Sequence, residues 1–268
     1  MVSSNGGVHP VGDSDELSGE VEALVALIAA ASRVAVFTGA GISAESGIPT
    51  YRGAGGTWSQ YDPDKYASIE YFRSDPSYYW TFFKEVRMDL ISSAEPSSAH
   101  IAVADLQHSG KVFSVITQNI DGLHQKAGSD RVLELHGNTT KFYCFECHAP
   151  YHLDEVRERL ETQLPPHCVK CNGVIRPDVV LFGEMLPVDV VEDATRDAQT
   201  CDLMLVIGSS LVVYPAANLP YHAKLAGAKL VIINIDPTPL DSVADLCIHR
   251  PAGEILPPAL AALVSYDN

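Results

Sequence analysis

Five short runs, Val34–Phe37, Val112–Ile116, Val179–Phe182, Leu203–Ile207 and Leu230–Ile233, are apolar without polar/apolar alternation. Runs of this kind are expected of parallel strands buried on both faces, because helices cover both sides of such a sheet. Helical patterns lie between several of them, at 97–108, 187–199 and 215–226. Ahead of the first, residues 16–32 put Val21, Leu24, Val25 and Ile28 on one helix face. Strands alternating with helices predict an α/β fold built on an open, mostly parallel sheet. Each run is also followed by unusual residues: Gly39–Gly41, Gln118–Asp121, Phe182–Glu184, Gly208–Ser210, and Asn234 with Asp236. Ligands of open α/β sheets bind beyond the carboxyl ends of the strands, so five segments are aimed at one crevice.

Two segments break the alternation. Residues 51–96 read as loop plus helices, clearest over Ser77–Ile91, and residues 139–175 hold four cysteines. We expect both to be insertions that form a small second lobe. The large domain would then be 18–50, 97–138 and 176–268, with 1–17 a flexible tail. The N-terminal stretch has no basic start and no apolar run, unlike a signal peptide. The longest apolar stretch, Ala23–Ala31, is too short to span a bilayer. The expected location is cytoplasmic. A net charge of −16 disfavours nucleic acid and anionic membranes as partners. It suits a lysine-rich protein segment, or it is simply a solubilising surface.

Gly39-Ala40-Gly41-Ile42-Ser43-Ala44 fits G-x-G-x-x-A directly after a strand. The glycines allow a tight turn and close approach of backbone to a pyrophosphate. The acid that grips a ribose in hydride-transfer enzymes belongs about 20 residues further on. That region, Gly56–Asp62, does not read as a strand, and Asp62 is a poor candidate. Arg52 stands just beyond the loop as an anion partner, and Asn234 and Asp236 are better placed for an adenosine ribose.

Cys144-x-x-Cys147 and Cys168-x-x-Cys171 match a tetrahedral zinc site of four thiolates. A site filled by protein leaves no position for water, so the metal should be structural. His148 and His167 adjoin the pairs as possible competitors. Cys201 and Cys247 read as buried thiols. Among ten histidines, His136 stands out at the end of a short strand before a glycine; it reads as a general base or as a hydrogen-bonded structural residue. His100, His108, His124 and His249 read as structural. Gln118-Asn119-Ile120-Asp121 offers amides and a carboxylate suited to sugar hydroxyls or a carboxamide, or to a turn. No protein nucleophile is evident.

In these residues the chain resembles the sirtuins, NAD-dependent protein lysine deacylases. The matching pieces are GAGISAESGIPTYRG, TQNIDGLHQKAGS, ELHGN, the cysteine pairs, FGE, GSSLVVYPAA and VIINID, in family order over about residues 20–260. The resemblance implies a Rossmann-like domain with a small lobe of zinc ribbon plus helices. It assigns Gly39, Ala40, Gly41, Ser43, Ala44, Tyr51 and Arg52 to the loop around NAD. Gln118, Asn119, Ile120 and Asp121 fall around nicotinamide and its ribose, with Asn119 and His136 catalytic and His136 the base. Gly208, Ser209, Ser210, Asn234, Asp236 and Ala252 contact phosphates, adenosine ribose and adenine. Val180, Phe182, Gly183 and Val212 form the groove where the peptide adds as a strand.

The implied chemistry is attack of an acyl-lysine oxygen on the ribose carbon that bears nicotinamide. His136 then deprotonates a ribose hydroxyl, and the products are lysine, nicotinamide and O-acyl-ADP-ribose. The same bond cleavage would also serve ADP-ribosyl transfer to protein. A non-catalytic scaffold is the third class, against which the intact His136, Asn119 and Asp121 speak. Tyr51 stands where the family commonly has Phe. Members that prefer succinyl or malonyl groups carry Tyr-x-x-Arg, where this chain has Phe83 and Val86, with Arg87 one residue off. An apolar acyl pocket is therefore expected, favouring acetyl or other uncharged acyl groups.

Overall fold

The computed structural model describes residues 12–51 and 55–266. Its larger part is a six-stranded sheet of β1 (Val34–Thr38), β2 (Val112–Thr117), β3 (Val132–Glu134), β7 (Leu203–Ile207), β8 (Lys229–Ile233) and β9 (Leu246–Ile248). Their order is β3-β2-β1-β7-β8-β9, and every pairing is parallel. Strand order reverses between β1 and β7, which opens the crevice in which such sheets bind ligands.

The period-two geometry of a strand explains the unbroken apolar runs. Val34 and Val36 of β1 join Leu24, Ile28, Leu203, Leu205 and Ile255 in a core beneath helices Gly12–Ala30, Ser98–His108 and Ala252–Tyr266. Ala35 and Phe37 join Met204, Val206 and Ile232 in the core on the other face, beneath Val188–Thr200 and Asn218–Leu225. Each such Val, Leu or Ile contributes about 1.5–3 kcal/mol on burial. The first helix begins at Gly12, so residues 12–17, expected as tail, are helical; the rest of that stretch lies outside the described residues.

The smaller part has an antiparallel sheet, order β5-β4-β6, of β4 (Gly137–Cys144), β5 (Pro150–His152) and β6 (Ile175–Val179). Its core mixes Phe142, Tyr151 and Ile175 with Phe72, Tyr79, Trp80 and Phe83 of the helical segment. Trp80 Nε1 donates to the Ile175 carbonyl at 3.0 Å, which closes the buried indole's one polar need. Ribbon and helices thus share one hydrophobic centre.

One strand expectation is corrected. Val179–Phe182 is not a strand of the parallel sheet: β6 ends at Val179 and pairs antiparallel with β4. Beyond it, Val180 N donates to His136 O at 2.9 Å, Phe182 forms a bridge with Ser68, and Gly183 turns at φ +90°. A four-residue apolar run carries too little periodicity to tell a sheet strand from an extended crossing.

Candidate active site

A cavity of about 1250 Å³ opens at the carboxyl ends of the parallel strands, between the two parts of the molecule. It exceeds the volume typical of drug-sized ligands and suits something as long as a dinucleotide. Its floor is the crossing of two glycine loops. Gly39 N donates to Ile207 O at 3.1 Å, Gly41 N to Gly208 O at 2.8 Å and Gly208 N to Ile233 O at 2.8 Å. A Cβ at Gly41 would fall 2.6 Å from the Gly208 Cα. Gly208, at φ +63°, would place its own Cβ 2.3 Å from Ile42 N. Only bare backbone fits here.

After Gly39 the chain forms a short 3-10 helix, Ala40–Ser46. Ser43, on its buried side, donates to Asp121 Oδ2 at 2.8 Å and accepts from Asn119 Nδ2 at 3.1 Å. Asn119 Nδ2 also reaches Gly39 O at 3.1 Å, while its backbone N donates to Thr117 Oγ1 at 3.0 Å. Asp121 Oδ1 accepts from Leu123 N at 2.9 Å. Burial pushes the Asp121 carboxyl above its usual value, and the bonds from Leu123 and Ser43 oppose that. The amide–acid turn is therefore bound to the glycine loop at three points.

His136 lies on the cavity wall, two residues past β3. Its Nδ1 is 2.9 Å from Gln118 O. A carbonyl only accepts, so Nδ1 carries the hydrogen and Nε2 keeps a free lone pair. Burial lowers the imidazole pKa below the ordinary 6.5, against the raising effect of the Gln118 bond. The ring is thus neutral at pH 7 and able to take a proton.

Of the residues expected from sequence, Gly39, Ala40, Gly41, Ala44, Tyr51, Gln118, Asn119, Ile120 and His136 line this cavity. So do Val180, Phe182, Gly183, Gly208, Ser209, Ser210, Asn234, Asp236 and Ala252. Ser209 Oγ donates to Gln118 Oε1 at 2.7 Å, and Asn234 Nδ2 donates to Asp236 O at 2.6 Å. Ser43 and Asp121 stand just behind the wall. Val212 is exposed beside it, next to the lining residues Val213 and Tyr214. Arg52 lies outside the described residues. Asp62 caps the helix Pro63–Tyr66 through Asp64 N and takes no part.

Phe83 and Val86 do not line the cavity. Phe83 is fully buried in the small-lobe core, and Phe82 and Arg87 face the opening instead. Trp58, Tyr79 and Glu45 also line it, and sequence spacing gave no signal for them. Glu45 accepts from Gly253 N at 3.1 Å and Ser98 Oγ at 3.3 Å, tying the glycine loop to two helices.

His100 and His124 are buried, hydrogen-bonded core residues, as the sequence suggested. Their rings meet at 4.8 Å, and His100 Nε2 and His124 Nδ1 have no partner. His124 Nε2 sits 2.9 Å from Thr38 Oγ1, which donates to Thr117 Oγ1 at 2.7 Å, so the pair buttresses the Asn119 turn.

The four thiols of Cys144, Cys147, Cys168 and Cys171 lie within 4.8 Å of one another. Sulfur donors alone, on two knuckles, are the set that fits one tetrahedral structural zinc. His148 and His167 are outside this set; His167 Nδ1 is instead 2.9 Å from Asn172 O. Cys201 is buried and Cys247 half-buried.

The fold and site define a class: a doubly wound nucleotide-binding domain that carries a zinc-ribbon lobe over its crevice. The model of the Sir2 family matches residues 39–215. An NAD-dependent protein deacylase 2 of Archaeoglobus fulgidus is 50% identical over 239 residues, 89% of this chain and 94% of its own length. An NAD-dependent protein deacetylase of Sulfurisphaera tokodaii is 50% identical over 222 residues, 82% of this chain and 87% of its own. A solved Sir2 enzyme with 47% identity superposes at TM-score 0.86 over 93% of this chain and 99% of that one. A Sir2 variant solved with a deacetylated peptide and 3'-O-acetyl ADP ribose gives 40% identity and TM-score 0.86, over 91% and 98%. The chain belongs to the Sir2 family.

Proposed function

We propose that this protein removes acetyl, or another uncharged acyl group, from protein lysine side chains while consuming NAD. NAD is here a substrate, and the products are nicotinamide, free lysine and O-acyl-ADP-ribose. Related Sir2 proteins have been solved with an acetylated peptide and with a propionylated one. The observation that carries the reading is the neutral His136, its Nε2 lone pair free, on the same cavity wall as the Asn119 turn.

In this reading the crossed glycine loops take the diphosphate, with Gly208–Ser210 and Arg52 as its partners. Asn234, Asp236 and Ala252 hold the adenosine end. Asn119 and Asp121, fixed through Ser43, hold the nicotinamide ribose and the carboxamide. The Tyr51 ring screens the ribose carbon from water. His136 removes the proton of a ribose hydroxyl once the acyl oxygen has displaced nicotinamide. Val180–Gly183 and Val212 flank the entering peptide backbone. One zinc on the four cysteines fixes the ribbon and supplies no chemistry. Cysteines held as zinc thiolates suit a compartment that keeps thiols reduced, and we read the protein as cytoplasmic. No described helix is long and apolar enough to cross a membrane.

The test is an acetylated peptide with and without NAD, and with added nicotinamide. Deacetylation that needs NAD and is suppressed by nicotinamide supports the proposal. A His136→Ala protein with full activity contradicts the role given to the base.

A further inference from the structure

The helical segment that starts at Ser77 changes pitch before it ends: Phe83–Arg87 form a π-turn between Ser77–Phe82 and Met88–Ser93. A π-turn holds one residue more than an α-turn and so rotates every later side chain about the axis. Phe83 therefore packs into the small-lobe core, while Arg87 swings to the cavity wall. Arg87 is only 8% exposed. Among the described residues its side chain makes no ion pair and no hydrogen bond. Its guanidinium carbon lies 4.8 Å from the centre of the Tyr51 ring and 5.5 Å from that of Phe82. The Tyr51 ring also packs on Trp58, at 5.3 Å.

A guanidinium so buried is costly unless something compensates its charge, and here the compensation comes from two ring faces. Packing alone would be better served by an apolar side chain. We propose that Arg87 is a positioning residue, clamping the Tyr51 ring between itself and Trp58 so that water stays off the ribose carbon during transfer. The proposal rests on the screening role given to Tyr51 above. Without the clamp, water adds to the ribose carbon after nicotinamide has left. The carbon–oxygen bond to the substrate amide breaks, the acyl-lysine returns intact, and ADP-ribose and a proton are released.

The experiment is product analysis by mass spectrometry, comparing ADP-ribose with O-acyl-ADP-ribose for acetyl- and succinyl-peptides. It uses the full chain and the variants Arg87→Met, Arg87→Gln, Arg87→Lys, Tyr51→Leu and the double variant Tyr51→Leu/Arg87→Met. We expect Arg87→Met and Arg87→Gln to raise the ADP-ribose share about three- to tenfold, the span of a desolvated cation–π contact. Arg87→Lys should restore most of the coupling, and the double variant should be no worse than Tyr51→Leu. Melting temperatures should hold in the neutral variants, because the contact orients a ring on the cavity wall and does not fill the core. An unchanged product ratio in both neutral variants overturns the proposal. So do multiplying effects in the double variant, or a loss confined to succinyl-peptides, which would turn Arg87 toward the acyl group. Wild-type protein inactive on every peptide would instead overturn the underlying function.

Discussion

His136 needs no neighbouring carboxylate to be a base. Its Nδ1 hydrogen is committed to the Gln118 carbonyl, and burial keeps the ring neutral. Activity that depends on the neutral ring is lost as pH falls through its pKa, and that pKa lies below 6.5. The acid limb of kcat should therefore sit below 6.5, and a limb above it would contradict the assignment. His136→Ala should lower kcat by about 10²–10⁴ with little change in melting temperature, if the ring is a base and not a brace. His100 titrates differently because burial holds its pKa down at about 4. Between about 4 and 6.5 the unfolded chain takes up this proton and the folded one does not. Stability present at neutral pH, of order 3 kcal/mol, is then lost as pH falls through that window. Thermal melts from pH 7 to 4.5 check this; a flat profile would refute it. At this scale the sequence disclosed His136 and the amides through their strand-end positions. It showed Arg87 only as one residue off a family register; that this residue reaches the cavity depends on a π-turn that no spacing rule announces.

The elements were legible where burial is two-sided. β1, β7 and β8 stand within a residue of their expected bounds, because helices on both faces demand unbroken apolar runs. β9, three residues at the sheet edge, gave no such signal, and β6 was misplaced because an apolar crossing imitates a short strand. Glycine chemistry was also legible, since two loops cross where no Cβ fits. Gly208→Ala should prevent soluble expression or abolish NAD binding by calorimetry, because its Cβ meets backbone at 2.3 Å. Wild-type affinity in that variant would show that the loops part more easily than their packing implies. The cysteine knuckles support an element that shares its core with the helical segment. Cys144→Ser should lose the single bound zinc by elemental analysis and speed hydrogen exchange across residues 144–174. Undiminished protection there would deny the metal a structural role.

On the scale of the whole molecule, the surface carries a net charge of −16. If that field helps recruit substrates, acetyl-peptides with flanking lysines should show a lower KM than those with flanking glutamates. The gap should shrink as salt screens the exposed charges, with a Debye length near 8 Å at 0.15 M. Equal KM values at low salt would leave the charge a solubilising feature only. The arrangement of the two lobes around one crevice follows from the reversal of strand order between β1 and β7. Sequence indicated that crevice only indirectly, through unusual residues after the ends of β1, β2, β7 and β8. The contribution of Trp58, Tyr79 and Arg87 to the far wall emerged only once the small lobe was folded over the sheet. The central claim concerns the glycosidic bond of NAD, and one assay addresses it directly: nicotinamide released and lysine uncovered, counted together on an acetylated peptide. The account predicts that the two rise one for one and that neither appears without the other substrate. Acetyl loss in the absence of NAD, or no nicotinamide release with acetyl-peptide present, would contradict it.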